Sequence, residues 1–169
     1  MTHTIKLFIT AIALFCSIGA VHAQKLGHIN SVELLDLMPE KKAADTQVAD
    51  LQKKLVDQAQ VMQAELQKKY QAYQAEAEKM TDAMRKLKED ELNDLDKRIQ
   101  EFGQNAEKEL SAKREALYKP VLDKAKKAVE DTAKESGYAW IFDSSAGNVL
   151  VMPASENILA LVKKKLGIL

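Results

Sequence analysis

The sequence predicts an α+β protein: a long antiparallel α-helical coiled-coil hairpin inserted in a small β-sheet body. Three observations predict it. Residues 40–136 carry an apolar stripe in steps of three, four and seven, set among Lys, Glu, Gln and Asp. Short β-type segments flank that region on both sides. Charged residues make up 30% of the 169-residue chain and aromatics only 5%, which suits helices with one buried face better than a compact globule with a thick core.

The chain opens with "MTHTIK", in which Lys6 is the only charge, followed by the apolar run "LFITAIALFCSIGAV" and then "VHA". This reads as a secretory signal peptide over 1–23, cut after Ala23 so that Gln24 becomes the mature N-terminus. A retained anchor helix is the alternative, and the run is short for a full membrane span. Cys16, the only cysteine, lies inside this run after Phe15 and reads as an ordinary leader residue rather than a lipidated one. The mature chain is then exported without any disulfide framework.

Residues 24–39 supply the first part of the body. "KLGHIN" alternates as a strand, and "SVELLDLMPE" reads as a short helix with Ser31 as its N-cap, interrupted by Pro39. Residues 40–136 form the hairpin. One stripe runs through Ala44, Val48, Leu51, Leu55, Met62, Leu66, Tyr70, Tyr73, Ala77 and Met80, and a second from Leu92 through Leu95, Ile99, Phe102, Ala106, Leu110, Leu117 and Val121. As one helix this region would be about 145 Å long and would need one unbroken phase. The step of five from Leu87 to Leu92 breaks that phase. Thr81 and Asp82 offer a new N-cap. Acids gather early in the second arm, at Glu89, Asp90, Glu91, Asp94 and Asp96, and Lys68, Lys69 and Lys79 lie late in the first. Both biases suit the helix dipole. A hairpin with its tip near 80–88 and arms of about 60 Å each therefore fits better than a rod. Gly103 and Pro120 fall inside the returning arm and are candidate hinge positions.

Residues 137–169 complete the body. Ser136-Gly137 stops the helix, "YAWIFD" is a buried-type strand, and "SSAGN" turns into a second strand, "VLVM". Ser155 can cap a last helix ending at Gly167, with Lys163, Lys164 and Lys165 in its final turn. Three short strands make a poor core for one chain, so oligomerisation through the sheet is the expected remedy. Ile29, Trp140, Phe142, Val149 and Val151 are assigned to that body and its subunit contacts.

Chemistry for catalysis is not visible. The mature chain keeps His28 in a strand with no metal-ligand spacing around it, and it has no cysteine nucleophile, phosphate loop or glycine fingerprint. Asp143 before Ser144-Ser145 reads as a turn residue. No enzyme activity, cofactor or metal is expected. Lys and Arg together equal Asp and Glu at 25 each, so nucleic acid is not an expected partner.

The feature order resembles the Skp/OmpH family of periplasmic chaperones for outer-membrane proteins, most closely in its Bacteroidetes-like variants. The residues that carry this are "KLGHINSVELL", the Gln/Lys/Glu-rich hairpin, "YKPVLDKAKKAVEDTAKESGYAWIFDSS" and "ILALVKKKLGIL". The resemblance implies a homotrimer in which a sheet body joins three chains and three helical tentacles enclose a cavity. It implies that unfolded outer-membrane β-barrels are held there without ATP. The client contacts would be Tyr70, Tyr73, Met80, Met84 and Leu87, since Met adapts to varied surfaces. Met62 and Leu66 are assigned to the seam between the arms. The neutral charge departs from the strongly basic family pattern. Lys113-Arg114 is the nearest pair to a lipopolysaccharide-binding cluster, so weak membrane or lipopolysaccharide contact is left open with no site assigned. A periplasmic coiled-coil scaffold or adaptor linking envelope components is the alternative function.

Overall fold

The computed structural model describes residues 24–147 and 151–168. The leader read over 1–23, with Cys16 and the cut after Ala23, lies outside the described residues, as does Val149. The described elements are strand β1 (Lys25–Ile29), helix α1 (Ser31–Leu37), helix α2 (Pro39–Glu76), a 3₁₀ turn (Ala77–Lys79), helix α3 (Asp82–Ser136), strand β2 (Tyr138–Asp143), a second 3₁₀ turn (Ala154–Glu156) and helix α4 (Leu159–Leu166).

Helices α2 and α3 form the hairpin. At 1.5 Å per residue, the 38 residues of α2 extend about 57 Å and the 55 of α3 about 82 Å. The arms are thus unequal, against the expectation of two equal ones. The base of α3 runs on into the body, where its Val121, Ala125 and Ala128 are core residues. Pro39 occupies the first turn of α2, where its missing N–H costs nothing.

The chain reverses without glycine or proline. A 3₁₀ turn follows α2, Met80 is extended, and Thr81 caps α3 by accepting from the Met84 amide at 3.3 Å. Met80 N–H donates back to Ala77 O at 3.3 Å, and the Arg85 guanidinium donates to that same carbonyl at 3.4 Å. The reversal therefore occupies Ala77–Thr81. The Leu87–Leu92 step lies within α3 and turns nothing, because Leu87 is simply an exposed residue off the stripe.

The strands correct the sequence reading further. β1 and β2 pair in parallel, Leu26 against Trp140 and His28 against Phe142, with the whole hairpin as the crossover between them. Of the expected β2 hairpin partner "VLVM", the first two residues lie outside the described ones, and Val151 and Met152 carry no strand. The other edge of β1 is engaged by the segment before α4, through a His28–Asn157 bridge and an Ile158 N–H donating to His28 O at 3.0 Å. Gly27 is required at the centre of β1. A Cβ there would lie 2.9 Å from two ring carbons of Tyr138.

Two helix caps also differ from expectation. Asn30, not Ser31, caps α1, its Oδ1 accepting from the Glu33 amide at 3.0 Å. Asn157, not Ser155, serves the start of α4 by accepting from the Leu159 amide at 2.9 Å. Gly137 and Gly167 end α3 and α4 in the left-handed conformation, at φ 71° and 70°, which glycine adopts without strain. The body core gathers Ile29, Leu34, Val121 and Val162 from β1, α1, α3 and α4, with Met38 and Ile158 from the junctions before α2 and α4. Ile29 is thus spent inside the chain's own core, at 3% exposure, and offers no surface for a partner.

Candidate functional site

The hairpin is held in register by polar rungs that cross its seam. Near the base Lys124 pairs with Glu40, and the Tyr118 hydroxyl donates to Asp45 at 2.7 Å. Towards the tip the Tyr73 hydroxyl donates to Glu89 at 2.6 Å. The two acceptors raise the pKa of their tyrosines, because a phenolate beside a carboxylate loses its hydrogen bond and meets a like charge. Asp45 is also bonded to Lys41, which holds its carboxyl below the ordinary range, with the Tyr118 hydroxyl adding to the effect. Lys41 in turn reaches Asp36 at the end of α1, so the base of the arm is tied to the body.

Between these rungs the seam is thin. Ala44 and Val48 are buried at the base, and Leu95 is the buried seam residue of the outer half. Leu51, Leu55, Met62 and Leu66 are only half-buried. Along one side the arms leave a groove of about 1000 Å³, lined by Val56, Ala59, Leu66, Tyr70, Tyr73 and Leu92 together with glutamines of α2. Tyr70, Met84 and Leu87 are each about half exposed. Tyr73 and Met80 are half-buried: the first is held by Glu89, the second by the turn. Of the five contact residues expected from sequence, the structure thus places Tyr70 and Tyr73 on the groove and Met80, Met84 and Leu87 at or just past the tip.

The hinge positions behave differently from each other. A side chain at Gly103 would meet nothing within 4 Å, so this glycine serves no packing need. Pro120 sits in α3 one residue before the buried Val121, at the junction of arm and body. The helix continues through both.

The body exposes an apolar sheet face. Leu26, Trp140 and Phe142 are 48%, 61% and 48% exposed, and Val151 beside them is 86% exposed. Together they form an exposed apolar patch on the body. Asp143 fastens the end of β2 to the start of α1. It accepts from the Ser31 hydroxyl at 2.6 Å, the Ser31 amide at 3.2 Å and the Ser145 amide at 2.9 Å. Partial burial pushes its pKa up, but the donors from Ser31 and Ser145 outweigh that and hold it at about 2. This cross-chain role went unread because Ser31 and Asp143 are 112 residues apart.

A pH dependence follows. The folded carboxyl titrates below its ordinary 3.8, so its stabilisation is present above that value and is lost as pH falls through about 2. Asp143→Asn should cost about 1 kcal/mol at pH 7, discounted for its exposure. Urea unfolding at pH 7 and again at pH 2 should show that difference shrink towards zero.

Among the described residues no group of three potential metal ligands converges, and no helix is long and apolar enough to cross a membrane. The class the fold defines is an α+β body carrying one long helical hairpin between its two paired strands. The chain belongs to the OmpH-like outer membrane protein family, whose model matches residues 25–166. It is 29% identical over 158 residues to the chaperone protein Skp of Photorhabdus luminescens, covering 91% of this chain and 92% of that one. It is 27% identical over 158 residues, with the same coverage, to the chaperone protein Skp of Photorhabdus laumondii subsp. laumondii. The crystal structure of an OmpH-like protein from Caulobacter crescentus CB15 superposes with a TM-score of 0.73 at 15% identity, over 85% of this chain and 84% of that one. At that identity the likeness speaks for the fold alone.

Proposed function

We propose that the chain is a periplasmic holdase chaperone that binds unfolded outer-membrane β-barrel proteins without ATP, as a homotrimer. The observation that carries this reading is the hairpin itself, which leaves Tyr70, Met84 and Leu87 exposed on a thinly sealed seam. Full-length likeness to relatives named as chaperones supports it. In this reading the leader over 1–23 directs export and is removed after Ala23.

The chemistry needs no pocket. An unfolded barrel strand presents apolar groups at every second residue. Weak apolar contacts spread along three hairpins can hold many such chains without reading sequence. The body assembles through the face of Leu26, Trp140, Phe142 and Val151, with Val149 in the adjoining segment. Pro120 marks where the arm leaves the body, and Gly103 adds compliance beyond it. Neutral overall charge leaves apolar contact, rather than long-range attraction, as the main source of client affinity.

Truncation separates the two parts. Replacing residues 67–95 by a short Gly/Asn turn removes the outer hairpin in register, because Tyr73 faces Glu89. Sedimentation equilibrium should show three chains per particle for both proteins, while the shortened one loses most of its client binding. A truncated protein that still holds clients at full strength would remove the hairpin from the mechanism.

A further inference from the structure

Once the leader is removed after Ala23, the first residue of the chain is Gln24. It is exposed, and it borders the apolar face of the body, lining a cavity of about 590 Å³ together with Leu26, Phe142 and Val151. The residue after it fixes its place. Lys25 pairs with Tyr138 at the start of the sheet. The Lys25 Nζ donates to Ser136 O at 3.1 Å, at the end of α3, and lies 4.0 Å from the centre of the Tyr138 ring. Gln24 is thereby held beside Trp140, whose Nε1 donates to Gln24 Oε1 at 3.3 Å.

An amino-terminal glutamine carries a nucleophile and an electrophile in one residue: its α-amine can reach its own side-chain Cδ. The indole N–H draws electron density from Oε1, which makes Cδ more electrophilic, and it stabilises the negative charge that develops on Oε1 as the amine adds. We infer that Gln24 is a modification site, and that the exported chain begins with pyroglutamate. In that step the α-nitrogen forms a bond to Cδ and the Cδ–Nε2 bond breaks. Nε2 leaves as ammonia, taking up the proton that the α-nitrogen gives up. No oxidant, cofactor or second molecule is consumed. The ring removes the α-ammonium, so the chain starts uncharged at the edge of Leu26, Trp140, Phe142 and Val151, where a charge would oppose burial of the apolar face. The inference rests on the cut after Ala23 proposed above.

The intact mass of protein exported from its full-length precursor tests it. After incubation at neutral pH the mass should be that of residues 24–169 less one ammonia, with the loss located in the first residue by fragmentation. Following the loss with time gives its rate. The urea-unfolded wild-type chain should close about three-fold more slowly, because it lacks the hydrogen bond from Trp140. Trp140→Phe should slow the folded chain by the same factor. Gln24→Ser has no side-chain amide at that position and should keep its full mass. A wild-type chain that starts at Gln24 and still holds its ammonia at the end overturns the inference and leaves the cut standing. A mature chain that starts at another residue overturns both. Equal rates in the folded and unfolded chains overturn the part given to Trp140.

Discussion

Ile158→Ala is expected to lower the stability of the body by about 2–5 kcal/mol, the usual cost of truncating a fully buried aliphatic side chain. Ile158 is 0% exposed, and its side chain packs beside Gly27 of β1 in the body core. Its amide donates to His28 O, so the residue also ties the segment before α4 to the edge of β1. Little can collapse into the space, because Gly27 offers no side chain to move and Tyr138 already packs against that glycine. Against a total of about 5–15 kcal/mol for a domain, the loss is a large fraction. Urea unfolding followed by Trp140 emission reads it directly, since that tryptophan lies in the body. A midpoint unchanged from wild type would mean that Ile158 is not the keystone the packing makes it.

The second large effect concerns the hairpin. Changing Tyr70, Met84 and Leu87 together to Ser should raise the amount of protein needed to keep a client soluble by about ten-fold. Each side chain offers apolar surface, and even partial burial of three against a client is worth more than the 1.4 kcal/mol that ten-fold requires. All three are about half exposed and none is part of the buried seam, so the circular-dichroism helix signal should stay near wild type. A control at Leu95, which is 2% exposed, should behave in the opposite way: Leu95→Ser loosens the hairpin itself. If the triple change leaves client holding untouched, the contacts lie elsewhere on the arms.

How much of this was legible in the sequence depends on the range of each interaction. The hairpin was, because its seam is a local repeat: Ala44, Val48, Leu66 and Leu95 recur at helical spacing and are the residues that face inward. The turn was legible only in part. Thr81 announces itself as a cap, but the 3₁₀ turn over Ala77–Lys79 is built from good helix formers and carries no signal. The Leu87–Leu92 step was misleading, since an exposed leucine looks the same in a sequence as a buried one. Ser31 was read as a cap because Ser caps well in isolation. Its hydroxyl is taken instead by Asp143, a partner 112 residues away, and the adjacent Asn30 caps the helix. The strand order was hidden for the same reason. Nothing local distinguishes β2 pairing forward with "VLVM" from β2 pairing back across the whole hairpin with β1. Of the candidate surface, Trp140, Phe142 and Val151 were visible as apolar residues near the end of the chain, but the pairing that sets Leu26 beside Trp140 was not.

The most direct test of the account dilutes a urea-unfolded outer-membrane β-barrel protein into buffer and follows light scattering with and without this chain, with no nucleotide present. The account predicts that scattering is suppressed once there are about three chains per client, and that the client stays bound and soluble. Scattering that rises unchanged at a large excess of the chain, or that falls only when ATP is added, would contradict it.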